Sequence, residues 1–280
     1  MHSQPNRSIC TSSSSSILES QIDSALAQLS KHGLADLCNA KLMNRVDSKF
    51  LFPVSRLPMV LAACGEQYSA LEIDGISKCR YRNVYFDTPE LNYYHHHHNR
   101  KLNRHKVRHR QYMDTGTSFL EVKFKNNKGR TIKTRVKVDC EPDTAIESYH
   151  RFLLEQGIEA PQCLKPTQLG TYDRISLAHP SRRERVTLDL NTSFESLLIP
   201  NRSGDSEGTK LFEMPNVVIA ELKQSKLDRY SPFYRLMREM SIRSQGFSKY
   251  CMGLSLTGSQ HVKSNRFKPT RIKLERNLYQ

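Results

Sequence analysis

Several features that would place a protein quickly in a class are missing from this chain of 280 residues. Tryptophan is absent, and glycine and proline number only 12 each, which excludes collagen-like and low-complexity classes. No run of about 18 apolar residues occurs, so the sequence offers no candidate membrane-spanning helix. The serine-rich start lacks the apolar stretch of a signal peptide. With 37% hydrophobic residues, the chain can nevertheless bury a sizeable core.

Familiar catalytic and metal-binding motifs are missing as well. The sequence has no GxxxxGK[ST], GxGxxG, GxSxG or HExxH, which argues against the corresponding nucleotide, hydrolase and zinc-protease sites. Its seven cysteines include no CxxC pair, which argues against a disulfide framework and favours reduced thiols in a cytoplasmic protein. The run His95–His98 is a weak metal signal, because consecutive side chains cannot all face one ion.

Positive charge is what the sequence has in excess, and it is concentrated. The net charge is +15, from 43 Lys and Arg against 28 Asp and Glu. Residues 100–137 hold 13 of these cations and only two acids, and residues 263–276 hold six cations and one acid. Local charge of this kind implies a polyanionic partner, and nucleic acid, an anionic membrane and a phosphate-rich small molecule all fit it.

Alternation along predicted strands gathers this charge onto one face. Charged and apolar residues alternate in five segments, residues 106–112, 119–125, 131–138, 185–190 and 220–223. Same-face neighbours lie about 6.5–7 Å apart, so consecutive cations repel one another unless an anion offsets their charge. A sheet with one solvated face explains any single strand. The whole set is explained better by a closed barrel with a cationic interior.

Three acids, Glu121, Asp189 and Glu221, share the charged faces of these strands. Carboxylate oxygens beside cations suit a divalent metal that bridges protein and phosphate. Salt bridges to neighbouring lysines and arginines suit the spacing equally well.

The remaining segments predict helices and flexible ends. Helical patterns cover residues 17–29, 55–63 and 231–240, and a further one runs from an Asp143 cap to Gly157. Residues 201–210 are predicted to be an exposed loop. The predicted organisation is a disordered leader over residues 1–16, one domain over 17–257, and a basic flexible tail over 258–280.

The ordered motifs along these strands resemble the VTC (vacuolar transporter chaperone) domain family of polyphosphate polymerases, within the triphosphate tunnel metalloenzymes. The matching stretches are RVDSKFLFP (45–53), YRNVYFDTPELNYYHHHHN (81–99), KVRHRQY (106–112), FLEVKFKNNKGRTIKTR (119–135), YDRISL (172–177), RVTLDL (185–190), VVIAELK (217–223) and FSKYCMG (247–253). The resemblance implies an α+β fold, an antiparallel β-barrel (the triphosphate tunnel) with a charged lumen, flanked by helices.

The resemblance also implies an activity and a set of site residues. The implied reaction transfers the γ-phosphate of ATP onto a growing inorganic polyphosphate chain and releases ADP, with Mn²⁺ or Mg²⁺ as cofactor. Residues implied to act in catalysis by binding phosphates are Arg108, Arg110, Lys123, Arg174 and Arg185. Residues implied to bind substrate are Lys49, Lys133 and Lys249, with Lys106, Arg135, Lys223 and His97 as less supported neighbours. Glu221 is the best implied metal ligand, and Glu121 and Asp189 are further candidates.

The chain differs from the fungal members of the family in showing neither an N-terminal sensor domain nor hydrophobic C-terminal spans. We therefore expect a stand-alone cytoplasmic enzyme, and peripheral membrane association and the oligomeric state stay open. Two alternative functions also stay open. One is hydrolysis of a triphosphate or tripolyphosphate in the same fold. The other is non-catalytic binding of polyphosphate or nucleic acid, of which nucleic acid is less expected because a narrow lumen would exclude a duplex.

Overall fold

The structure, a computed structural model, describes residues 10–36, 45–128, 130–198, 211–258 and 262–278. In this part of the chain the α-helices are α1 (Cys10–Ala27), α2 (Leu57–Cys64), α3 (Asn92–His98), α4 (Pro142–Ser148), α5 (His150–Glu155), α6 (Pro232–Glu239), α7 (Lys249–Thr257) and α8 (Lys268–Leu278). The strands are β1 (Lys31–His32), β2 (Val46–Pro53), β3 (Ser69–Leu71), β4 (Lys78–Asp87), β5 (Arg104–Tyr112), β6 (Thr117–Lys125), β7 (Thr131–Val138), β8 (Lys165–Ala178), β9 (Glu184–Ser196), β10 (Leu211–Met214) and β11 (Val217–Gln224).

These strands form one large, mostly antiparallel sheet, which confirms the predicted α+β fold class. Among the described strands its hydrogen-bonded ladder is open rather than closed. The chain divides into two compact units and passes between them five times. Because the chain passes back and forth in this way, no single position in the sequence separates the two units. The single domain over residues 17–257 stays a prediction.

The first unit comprises Met1–Lys78, Ile175–Leu188 and Val218–Gln245. Within it β11 lies between β2 and β9, and β3 pairs with the end of β8. Helix α2 packs against α1 and α6. The core of the unit is mainly apolar, and the ring of Phe50 meets that of Phe233 edge to face at 6.0 Å.

The second unit comprises Cys79–Arg174, Asp189–Val217 and Gly246–Gln280. Its strands follow the order β8-β4-β5-β6-β7, and β10 pairs with β9. One sheet face buries Val107, Leu120 and Val122 against Ile146 of α4 and Leu153 of α5. Because side chains alternate along a strand, that buried apolar face leaves the charged residues on the other face. The predicted alternation over β5, β6 and β7 is confirmed.

Most predicted elements coincide with observed ones. The strands predicted over residues 106–112, 119–125, 131–138, 185–190 and 220–223 correspond to β5, β6, β7, β9 and β11. The helices predicted over residues 17–29, 55–63 and 231–240 correspond to α1, α2 and α6. None of the described helices has both the length and the apolar character needed to cross a membrane.

The helix predicted from Asp143 is observed as two helices. Helix α4 begins at Pro142, with Glu141 rather than Asp143 as its N-cap residue. A proline is well suited to the first helical position, because its φ is already helical and no N–H is needed there. Tyr149, with φ −116° and ψ 27°, separates α4 from α5. The predicted stop at Gly157 is consistent with its φ of +78°, which glycine adopts without strain.

Two segments predicted to be disordered are helical in the structure. Helix α1 begins at Cys10, inside the predicted leader, because serine is only moderately unfavourable in a helix. The predicted flexible tail contains α8, which is anchored by the buried side chains of Phe267 and Leu274. Residues 1–9 and the predicted loop over 201–210 lie outside the described residues.

Candidate functional site

A row of three lysines crosses the charged face of the second unit. In the antiparallel register Lys106 lies opposite Lys123, which lies opposite Lys133 on the next strand. We call these residues the lysine row. Like charges that stand directly opposite one another destabilise a sheet. Their alignment on three neighbouring strands therefore indicates a face that accommodates an anion.

Beside the lysine row, Glu121 is the centre of a buried ion-pair cluster. Its Oε2 accepts hydrogen bonds from Nε and Nη2 of Arg108, at 2.7 and 2.5 Å, and its Oε1 accepts one from Nζ of Lys133 at 2.5 Å. Burial would raise the pKa of Glu121, but Arg108, Arg110 and Lys133 together hold it well below its usual range. Both oxygens of this carboxylate are thus occupied by cations.

The same cluster shows that positive charge is in excess. The pKa of Lys133 is lowered to about 8, chiefly by burial and also by Arg108 and Arg110, although Glu121 opposes the shift. The cluster thus holds three cations, Arg108, Arg110 and Lys133, against the single carboxylate of Glu121.

A second carboxylate, Asp189 on β9, is the centre of another cluster in the same unit. Arg174 of β8 donates from Nε to Oδ1 at 2.6 Å and from Nη2 to Oδ2 at 2.8 Å, and Lys249 also donates to Oδ2. Burial opposes ionisation, but Arg174 and Lys249 hold the pKa of Asp189 well below its usual range. The forked arginine–carboxylate geometry fixes the guanidinium in place.

Tyr172 links these cations to Arg110. Nη2 of Arg110 donates to the Tyr172 hydroxyl at 2.9 Å, and Arg174 and Lys249 lie 5.0 and 4.5 Å from the centre of the Tyr172 ring. Burial alone would raise the pKa of Tyr172, but Arg110 and Arg174 lower it. The sequence reasoning missed Tyr172, although alternation along β8 places it on the same face as Arg174.

Helix α7 carries Lys249 to this cluster because of two local features. The Ser248 hydroxyl caps the helix by accepting a hydrogen bond from the backbone N–H of Cys251 at 3.4 Å, and it also accepts one from Lys106 at 2.7 Å. A Cβ on Gly253 would lie only 2.3 Å from Nε2 of the buried Gln168. A larger residue would therefore require the buried amide of Gln168 to move, so glycine favours this close approach of α7 to β8.

The first unit holds a carboxylate of a different kind. Glu221 of β11 lies 2.8 Å from Nζ of Lys223 and 3.4 Å from Nζ of Lys49. Its side chain is 18% exposed, whereas that of Glu121 is 1% exposed. Nζ of Lys223 also donates to the Thr187 hydroxyl at 3.2 Å. Glu221 is thus the most accessible of the three predicted carboxylates.

The predicted site residues are distributed over the two units. The first unit contains Lys49, Arg185, Glu221 and Lys223. The second contains Lys106, Arg108, Arg110, Glu121, Lys123, Lys133, Arg174, Asp189 and Lys249, which form the contacts above, and also Arg135 and His97. Arg135 lies over the Phe119 ring at 4.4 Å, and the His97 ring lies 6.4 Å from that of Phe267, near the C-terminal segment.

The ion pairs of Glu121 and Asp189 predict an acid-sensitive fold. Because folding lowers both pKa values, the stabilisation is complete above the unfolded values and is lost as the pH falls through the folded ones. We expect the free energy of unfolding, measured with urea, to decrease below about pH 5. In Glu121→Gln the decrease should be shallower by up to about 1.4 kcal/mol per pH unit, because one proton fewer is taken up on unfolding. Equal slopes in both proteins would contradict this interpretation.

The family model described as the VTC domain matches residues 44–257. Among curated proteins, no match was found.

The solved structures that resemble this chain share little sequence with it. A candidate adenylate cyclase of Bacillus halodurans has 14% identity and a TM-score of 0.48, over 73% of this chain and 94% of its own. A candidate adenylyl cyclase of Hippeastrum, described as having a dominant triphosphatase activity, has 13% identity and a TM-score of 0.45, over 75% and 95%. A third, from Vibrio parahaemolyticus, has 14% identity and a TM-score of 0.43, over 75% and 98%.

Proposed function

The chain belongs to the VTC domain family, and from this premise we propose that it is a polyphosphate polymerase. It would transfer the γ-phosphate of ATP onto a growing inorganic polyphosphate chain and release ADP. The observation that carries the proposal is the lysine row, three cations in direct register on neighbouring strands. A polyanion bound along that row would offset a repulsion that the sheet otherwise has to bear.

The proposed reaction needs little covalent machinery from the protein. A terminal oxygen of the polyphosphate chain attacks the γ-phosphorus, the bond to the β,γ-bridging oxygen breaks, and ADP leaves with the electron pair. The attacking oxygen is already anionic at neutral pH, so no general base is required. Catalysis then depends on holding the two phosphates in line and on neutralising the charge of the oxygens.

In this proposal the arginines and the lysines have different roles, because their side chains are held differently. Arg108 and Arg174 are held in forked hydrogen bonds, so their guanidinium groups have fixed positions from which to contact phosphate oxygens. Lys123 and the other lysines supply charge that is less fixed in direction. Arg185 of the first unit is proposed to bind phosphate in the same way.

A divalent cation fits Glu221 better than it fits the other two carboxylates. Within the described residues, no three His, Cys, Asp or Glu side chains form a group that could hold a metal ion. Mg²⁺ and Mn²⁺ are often held by one or two carboxylates together with phosphate oxygens and water. Glu221 could therefore be the single carboxylate ligand of such an ion. Glu121 and Asp189 stay predicted ligands, but their carboxylates are nearly inaccessible, whereas that of Glu221, which also faces two lysines, is partly exposed. When bound, the ion neutralises phosphate charge and favours the departure of ADP.

The proposed partners are therefore ATP, a divalent cation and inorganic polyphosphate, and the proposed location is the cytoplasm. The test is incubation of the purified protein with ATP and Mn²⁺, followed by sizing of the products on a gel. We expect a ladder of long chains that an exopolyphosphatase digests, with ADP in equal amount to the phosphate incorporated. Orthophosphate as the sole phosphate product would instead favour the triphosphatase alternative. Tight polyphosphate binding without any turnover would favour the non-catalytic alternative.

A further inference from the structure

Of the cations of the second unit outside the clusters described above, four belong to the segment after α3, the start of β5 and the C-terminal segment. They are Arg100, Lys101, Arg104 and Arg266, and we call them the basic patch. The C-terminal segment reaches this place because Nη1 of Arg266 donates to the backbone carbonyls of His97 and His98, at 2.7 and 2.8 Å. These carbonyls lie at the C-terminal end of α3, and Arg100 follows His98 after one residue, Asn99.

The contacts within the basic patch leave its charge in place. Nη1 of Arg104 donates to the backbone carbonyl of Lys101 at 2.7 Å, and Nζ of Lys101 lies 3.3 Å from Nε2 of His96. These partners carry no negative charge, unlike the partners of Arg108 and Arg174. Burial and the neighbouring Arg100 lower the pKa of Arg266, and burial followed by Arg266 lowers that of Arg104. The members of the patch therefore repel one another.

The basic patch continues the cationic row of β5. Arg104 is the first residue of that strand, and alternation places it on the same face as Lys106, Arg108 and Arg110. From Arg104 to Arg110 the row extends over about 20 Å. Burial raises the pKa of the Cys251 thiol of α7, and both Lys106 and Arg104 lie close enough to oppose the rise. The patch and the charged face are therefore neighbours at this end of the strand.

We propose that the basic patch is a second binding site for linear polyphosphate, which holds the part of the chain that extends past the Lys106 end of the charged face. This inference rests on the proposed function. A single phosphate or a triphosphate is short enough to be bound by the lysine row and the neighbouring ion-pair clusters alone. The basic patch extends the row of cations beyond that site. Only a polyanion with charge along its whole length can contact both at once.

The test compares a short and a long ligand on a matched pair of variants. Arg100→Gln/Lys101→Gln removes two exposed charges of the patch, and Arg151→Gln/Lys165→Gln removes two exposed charges elsewhere in the same unit. Binding of tripolyphosphate and of long-chain polyphosphate is measured by calorimetry at several salt concentrations. We expect the patch variant to bind the long chain about tenfold more weakly, with a salt slope smaller by roughly two, as for loss of two phosphate contacts. Tripolyphosphate should bind both variants as it binds the wild type.

Three results would overturn the second site. One is unchanged long-chain affinity in the patch variant, and another is an equal loss for tripolyphosphate, which would indicate a general effect of net charge. The third is loss of binding to phosphatidylserine vesicles while long-chain affinity is kept, which would assign the patch to a membrane surface. Failure of the proposed polymerase is seen separately, as a wild type that binds both ligands but makes no polymer from ATP.

Discussion

Replacing Arg108 by alanine is expected to lower kcat/KM for polyphosphate synthesis by about 10²–10³-fold, the usual cost of removing one preorganised donor from a developing negative charge. Arg108 is suited to this role because two of its nitrogens are fixed by Glu121, and its Nη1 lies 3.4 Å from the Tyr85 hydroxyl. A guanidinium that is already oriented loses little conformational entropy when it binds phosphate. The measurement is initial-rate incorporation of radiolabelled γ-phosphate into polymer, with Arg151→Ala, a change at an exposed arginine of the same unit, as control.

The same substitution also removes one of the two cations that pair with the buried Glu121, so a loss of stability has to be separated from a loss of catalysis. A second variant, Arg108→Ala/Glu121→Gln, does this because it removes the carboxylate charge that the first variant leaves partly uncompensated. We expect the double variant to regain part of the lost melting temperature while its activity stays low. Recovery of activity together with stability would mean that Arg108 only supports the fold.

The strands of the second unit were predictable because their signal is local. Alternation with a period of two needs only the neighbouring residues, and β7 coincides with the predicted segment over residues 131–138. The same alternation indicated which cations share a face. Helix α8 was not predicted, because its anchors, Phe267 and Leu274, are too few to produce a helical pattern and act only through tertiary packing.

The partners of the carboxylates could not be predicted, because they depend on register and on distant segments. From sequence spacing alone, Glu121 could either ligate a metal or form a salt bridge. The antiparallel register, which places Arg108 of β5 opposite Glu121 of β6, brings the guanidinium to the carboxylate. Lys249 is 60 residues from Asp189 and reaches it through the packing of α7 against β8, where Gly253 lies close to Gln168. The sequence therefore identified the charged residues, but only the fold determines which cations pair with Glu121 and Asp189.

Because the three predicted metal ligands differ in burial, we expect their substitution to have different effects on stability and on the requirement for Mn²⁺. All three carboxylates face two cations, but Glu121 and Asp189 are nearly inaccessible, so their ion pairs are buried. Removing the charge from such a residue leaves buried cations uncompensated, which typically costs about 3–5 kcal/mol of stability. Glu121→Gln and Asp189→Asn are therefore expected to lower the melting temperature strongly and to leave the Mn²⁺ concentration for half-maximal activity unchanged.

Glu221→Gln is expected to do the reverse. Its carboxylate is partly exposed, so the amide should be tolerated with a small change in melting temperature, while the Mn²⁺ concentration for half-maximal activity rises by about 10–100-fold or more. The measurement is a Mn²⁺ titration of polyphosphate synthesis at saturating ATP, with melting temperatures recorded for the same samples. The outcome that would contradict this prediction is a wild-type Mn²⁺ midpoint in Glu221→Gln together with a shifted midpoint in Glu121→Gln. That result would assign the metal to the buried cluster around Glu121. In that case Arg108 and Lys133, which donate to the two oxygens of Glu121, would have to turn toward the phosphates when the metal binds.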